Sequence, residues 1–153
     1  MIWGLTSIGI VLMGAASSSA EEPKFSGGAI VEKVANHPFA AVDAKLQAAI
    51  KSAKLIIVGE PNYQMMQRMV GRERKPAKAY FVFRPDLGTP IFDNDPAAAM
   101  EIPLKILFFE RADGKTVIRY KKPSSVLADY KGLGALGKQL DDLVASLTDA
   151  AVK

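Results

Sequence analysis

Hydrophobic and polar positions change period several times along this chain. In residues 29–35 (AIVEKVA) they alternate, which is the period of a half-buried strand. Asn36-His37-Pro38 then reads as a helix start, because a proline in the first turn has no N–H to leave unpaired. Phe39, Val42, Leu46 and Ile50 follow at spacings of three, four and four, so they form one stripe of a helix packed on a sheet. Residues 55–58 are a short apolar strand ending at Gly59. Residues 62–70 (NYQMMQRMV) predict a short helix stopped by Gly71, with Met65, Met66 and Met69 filling gaps in the core. A polar, basic stretch over 72–78 leads into a strand at 79–84 (AYFVFR), rich in the aromatic residues that strands favour.

The second half carries the strongest local signal. Residues 87–92 predict a helical turn, and Asp95-Pro96 caps a second short helix through Met100. Residues 104–111 (LKILFFER), Asp113-Gly114 and residues 115–120 (KTVIRY) predict a β-hairpin, the Asp-Gly pair supplying positive φ angles for a tight turn. Ile106 and Phe108 face one way and Leu107 and Phe109 the other, so the first of these strands belongs at the centre of the sheet. Beyond Pro123 the chain is helical. A short segment spans 124–130, and Leu136, Leu140, Leu143, Leu147 and Ala151 line one side of a terminal helix. Together these elements predict an α+β fold: one two-layer domain over residues 29–153, a mixed β-sheet with a central hairpin and helices packed on it.

The chain's start belongs to none of this. Residues 1–20 hold no charged side chain, carry an apolar run too short to span a bilayer, and end in small residues with Ser18 and Ala20 at the cleavage positions. This predicts a cleaved signal peptide, followed by a flexible leader over 21–28, and a periplasmic or secreted protein. Composition then narrows the chemistry. With no cysteine there is no disulfide framework, no Cys-ligated metal and no thiol nucleophile, and one histidine excludes multi-His metal sites. An exported domain of this make-up, 49% hydrophobic and 24% charged, is held together by its core alone.

Each candidate motif has a plainer reading beside it. Gly132 to Gly137 spells GxGxxG, but a helical segment precedes it and too little chain follows to supply the acid of a dinucleotide site, so it reads as a helix-to-helix turn. The three methionines are thioethers suited to Cu(I), as an alternative to core packing. Asp93-Asn94-Asp95-Pro96 begins like a calcium loop, yet three alanines follow where ligands are needed, so Asp95 reads as a helix cap. His37 is a possible general base, with capping or solvent exposure as the plainer role. No cofactor or metal is expected.

Charge is unevenly placed. Residues 68–84 hold six basic side chains (Arg68, Arg72, Arg74, Lys75, Lys78, Arg84) and one acid, Glu73, so the segment carries +5 of a formal net charge of +4. An anion-binding surface for headgroups or an acidic partner is the functional reading; a solvated loop that keeps a hydrophobic strand soluble is the other. Nucleic acid is not an expected partner of an exported chain, and Tyr80, Phe81 and Phe83 read as sheet packing.

The run from Ala79 to Pro123 carries a family resemblance. Arg84-Pro85, Leu87-Gly88-Thr89-Pro90, Asp95-Pro96-Ala97-Ala98-Ala99, Ile102-Pro103-Leu104-Lys105 and Asp113-Gly114-Lys115 with Tyr120 and Pro123 resemble domain-of-unknown-function family 302. Val82-Phe83-Arg84-Pro85 stands where that family often has Phe-Gly-Asn-Pro. The resemblance implies a small α+β domain without an established activity, and a homodimer whose second copy covers an apolar sheet face. The expected function is that of a non-catalytic binding or accessory domain of the cell envelope, with Arg84, Thr89, Tyr120 and Lys121 forming a pocket for a small anionic or apolar ligand. The alternative is a small enzyme using His37 or Asp93 as acid or base.

Overall fold

The computed structural model describes residues 29–153; the expected signal peptide and leader lie outside the described residues. The elements run β1 (Ile30–Ala35), α1 (Phe39–Ser52), β2 (Ile56–Gly59), α2 (Tyr63–Met69), β3 (Ala77–Phe83), α3 (Pro85–Asn94), a 3-10 turn (Pro96–Glu101), β4 (Leu104–Glu110), β5 (Thr116–Lys121), α4 (Pro123–Leu127) and α5 (Gly134–Val152). The strands form one sheet in the order β1-β5-β4-β3-β2, with β4 at its centre as its two apolar faces predict. The fold is α+β.

Every strand pairing is antiparallel, so the sheet is not mixed. The strand–helix–strand unit at the start of the domain does leave β1 and β2 pointing the same way. They never pair, because β5, β4 and β3 lie between them and each runs against its neighbour. The hairpin turn also differs from the two-residue form. Gly114 alone takes a positive φ, of 82°, while Arg111 N donates to Lys115 O at 2.9 Å and Gly114 N donates to Arg111 O at 3.0 Å. Asp113 contributes through its side chain, whose Oδ1 accepts from Lys115 N at 3.1 Å. This is a three-residue loop ending in a left-handed glycine.

Helices α1 and α5 cover one face of the sheet. Val42, Leu46 and Ile50 from α1 and Val144, Leu147 and Ala151 from α5 pack on Tyr80, Val82, Ile106, Phe108 and Ile118. The ring of Phe108 stacks on Phe39 at 5.1 Å between centroids. A second cluster, Ile91, Ala98, Leu127, Leu133, Leu136 and Leu140, joins α3, the 3-10 turn and α4 to the start of α5. α3 is a full ten-residue helix where only a turn was predicted, opened by Pro85 at its first position. Asp95 caps the 3-10 turn, accepting from Ala97 N at 3.0 Å.

The glycine-rich run is a helix junction. Gly132 turns the chain with φ +79°, and a Cβ on Gly137 would stand 2.8 Å from the Ser124 Cα, so its lack of a side chain lets α5 lie against α4. The methionines depart from the prediction. α2 buries no residue, and Met65, Met66 and Met69 are exposed. The helix is only seven residues long and is pinned by polar contacts rather than a core: Asn62 caps it, accepting from Met65 N at 2.9 Å, and Gln64 Nε2 donates to Arg74 O at 2.9 Å.

Candidate functional site

The face of the sheet opposite α1 and α5 carries the candidate site. Residues directly opposite one another across an antiparallel pair share a face. The register pairs Leu107 with Arg119 and Ala79, Phe81 with Lys105, and Ile30 with Lys121, so these side chains stand on the open face. Ile106 pairs with Tyr120, which sets Lys105 and Lys121 opposite each other at the next position along the hairpin. A groove of about 530 Å³ opens there, floored by Phe81, Ile102 and Leu107 and edged by Lys105, Arg119 and Lys121. A second groove of about 600 Å³ continues from Lys105 and Leu107 along the sheet, with Phe109 in its floor and Tyr63 and Gln67 of α2 as its wall.

The cations of this face lie on aromatic rings. Lys105 Nζ is 5.7 Å from the Phe81 centroid and 5.8 Å from that of Tyr63, and Arg119 Cζ is 5.6 Å from the Phe109 centroid. Arg119 is also paired, its Nε donating to Glu32 Oε2 at 2.9 Å. Neither Lys105 nor Lys121, both exposed, has a carboxylate partner among the described residues. Glu101 lines the same groove and accepts from the Tyr130 hydroxyl at 3.2 Å. Two facing lysines repel each other, a local conflict that an anion between them would relieve.

Of the four expected pocket residues, Tyr120 and Lys121 both line the groove of about 530 Å³, whereas Arg84 and Thr89 do not. Lys121 is on the open face, but Tyr120 is turned toward the helices and buried, and that burial pushes its phenol pKa up. Arg84 spends its donors within the fold: Nη1 donates to Ala53 O at 3.0 Å, beyond the end of α1, and Nε donates to Asp86 at 2.8 Å. Thr89 is exposed on α3, its hydroxyl donating back to Pro85 O at 3.3 Å. A cavity that Arg84 lines holds only about 10 Å³. Lys105 is the residue that sequence reasoning missed. Its signal was that it is the one charged side chain within LKILFF, but the two-residue turn expected at Asp113-Gly114 would set it opposite Lys122, and only the observed three-residue loop sets it opposite Lys121.

His37 and Asp93 sit on separate elements. His37 Nε2 lies 2.7 Å from Lys153 O and 2.9 Å from Lys45 Nζ, contacts that tie the start of α1 to the end of α5. One ring nitrogen donates or accepts, so any tautomer makes one of the two. Asp93 is exposed near the end of α3. The titratable groups that do converge are elsewhere. The buried Tyr80 hydroxyl donates to Asp43 and accepts from Gln47 Nε2 at 2.8 Å, while Lys78 Nζ donates to Asp43 at 3.1 Å and pairs with Glu60. Burial alone would raise the Asp43 carboxyl, but hydrogen bonds from Tyr80, Gln47 and Lys78 outweigh it and hold the pKa below its ordinary value. Burial and the bond to Asp43 push the Tyr80 phenol well above its usual range. These groups satisfy one another and line neither groove, which is the pattern of a structural lock. Among the described residues no cluster of three His, Cys, Asp or Glu side chains is placed to hold a metal ion.

Comparison with known proteins agrees with the fold. The family model for "Domain of unknown function DUF302" matches residues 31–151. The chain belongs to that family. A solved DUF302 structure, an uncharacterised conserved protein from Bacillus stearothermophilus, superposes with a TM-score of 0.75 at 12% sequence identity, covering 82% of this chain and 99% of its own. At that identity the likeness shows the shared DUF302 fold. No curated protein matches the sequence.

Proposed function

We propose that this DUF302 domain is a non-catalytic ligand-binding module of the cell envelope, exported on a cleaved N-terminal segment, and that its ligand is a small amphipathic anion. The observation that carries the reading is the facing pair Lys105 and Lys121, neither with a carboxylate partner among the described residues, beside the apolar floor of Phe81, Ile102 and Leu107. An acid group would sit between the two ammonium groups and an apolar body would lie along the floor. A groove of this volume is the size of small-molecule sites. Export is supported by the uncharged apolar start and its small residues at 18–20.

Anilinonaphthalene sulfonate, an amphipathic anion that fluoresces in apolar surroundings, tests the reading. The protein is expected to bind it at a single saturable site. Lys105→Ala combined with Lys121→Ala should weaken binding by roughly tenfold or more, the scale of losing charge-assisted contacts. Arg84→Ala and His37→Ala should leave it unchanged. Parental affinity in the double lysine variant would overturn the assignment.

The same face supports a second copy of the chain as partner. Ile30 and Val34 on β1 and Ile56 on β2 are exposed at its two edges, where a monomer in water gains nothing from them.

A further inference from the structure

Helix α2 is amphipathic with its polarity reversed. Tyr63, Gln64 and Gln67 line the groove along the sheet, whereas Met65 (58% exposed), Met66 (49%), Met69 (80%) and Val70 (69%) stand in solvent. The chain then reverses at Gly71, with φ +72° and open space where a Cβ would be. Arg68, Arg72, Arg74 and Lys75 flank the apolar tip and are all exposed. Glu73 takes Arg68 at 3.5 Å and Glu110 takes Lys75 at 2.5 Å, which leaves Arg72 and Arg74 without a carboxylate partner among the described residues.

We propose that α2 and the loop through Lys75 dock the protein on an anionic lipid bilayer, with the methionines and Val70 entering the headgroup boundary and Arg72 and Arg74 pairing with lipid phosphates. The charge selects an anionic occupant. The size of the tip selects a bilayer over an acidic protein. A stable protein interface takes roughly 20–30 residues a side, whereas this surface offers four apolar side chains on a projecting turn. A bilayer needs no matching shape, and unbranched methionines adapt to it. Basic side chains beside an apolar face are the composition of interfacial helices. No helix among the described residues is long and apolar enough to cross a membrane, so the contact is peripheral. This docking does not rest on the groove reading, since Met65, Met66, Met69, Val70 and Arg72 line neither groove and Arg74 lines only the second, away from Lys121; failure to bind anilinonaphthalene sulfonate would leave it standing.

The chain has no cysteine, so Met69→Cys accepts a single environment-sensitive nitrobenzoxadiazole dye at the tip. Protein recovered from its own cells is mixed with phosphatidylcholine vesicles, with vesicles containing phosphatidylglycerol, and with soluble polyglutamate. Phosphatidylglycerol vesicles should shift the dye emission to the blue, neutral vesicles should not, and high salt should reverse the shift. Arg72→Glu combined with Arg74→Glu should weaken the vesicle response by tenfold or more. Met65→Ser with Met66→Ser, labelled at the same Met69→Cys site, should weaken it while leaving the melting temperature unchanged. The assignment is overturned if the dye stays in water while the protein sediments with vesicles, or if neutral vesicles give the same shift. An equal response to polyglutamate would transfer the site to an acidic protein partner and overturn it as well.

Discussion

Asp43 shows how hydrogen bonds can hold a half-buried carboxylate in its ionised form. It accepts from Tyr80 and Lys78, and its Oδ1 also accepts from Gln47 at 3.0 Å, so three donors converge on it between α1 and β3. Removing it leaves the hydrogen of the fully buried Tyr80 hydroxyl without its acceptor, although the oxygen still accepts from Gln47. Asp43→Ala should therefore cost about 1–3 kcal/mol in urea unfolding at pH 7, the range for a buried group left unsatisfied. The pH dependence follows from the direction of the shift. The carboxyl takes up its proton at a lower pH when folded than when unfolded, because its folded pKa lies below the ordinary value of 3.8. Its contribution is complete above that ordinary value and is lost as pH falls through the depressed folded one. The difference between parent and Asp43→Ala should accordingly hold from neutrality down to about pH 4 and shrink below it. A gap that stays constant to pH 2.5 would show that Asp43 is not the group titrating. None of this network was visible in the sequence, because Asp43 and Lys78 are far apart in the chain and meet only when β3 lies beneath α1.

At the scale of elements, legibility depends on whether burial imposes a period. α1 and α5 each bury one long stripe, so their spacing announced them, and β4 declared its central place by being apolar on both faces. α2 had no such constraint. Methionine is at home in a core or at a contact surface, and only the structure shows that Met65, Met66 and Met69 face outward. The candidate groove was half legible. Tyr120 and Lys121 were picked from the sequence and line the groove, but Lys105 emerges only when the hairpin register is known, and Arg84 looked like a ligand residue because its contact with Ala53 O spans 31 positions. The glycines of the α4–α5 junction make the complementary point, since their motif spelled a nucleotide loop and their role is packing. Gly137→Ala should raise the helix propensity of α5 by about 1 kcal/mol and still destabilise the protein. The added Cβ meets backbone at Ser124, which cannot rotate away, and overpacking of that kind costs about 1–3 kcal/mol. Gly134, with nothing within 4 Å of its Cβ position, is the control: Gly134→Ala should be neutral or stabilising by thermal melting. Equal melting temperatures for the two variants would remove the packing account.

At the scale of the whole molecule, two helices cover one side of a five-stranded sheet and the other side holds grooves, exposed apolar edges and paired charges. A small ligand accounts for the middle of that face only. Val34 on β1 and Ile56 on β2 stand at opposite edges, separated by four strand spacings or about 19 Å across the sheet and offset further along the strands, which is too far for one small molecule to cover both. A protein-sized partner could cover both, and the sheet face itself is the self-complementary candidate for the proposed second copy: apolar at its rims, with Arg119 and Glu32 already neutralising each other between them. A second copy seated there would also roof the groove over Lys105 and Lys121, taking the bound anion out of water and strengthening its pairing. Light scattering at micromolar concentration should then give twice the chain mass. Val34→Lys combined with Ile56→Lys should give a single chain mass without loss of helical signal, because both positions are exposed within one copy. That variant should also bind anilinonaphthalene sulfonate less tightly than the parent, though more tightly than the double lysine-to-alanine protein. A parent that runs as a monomer would remove the second copy and leave the groove open to solvent, with the lysine pair as its only anion contact.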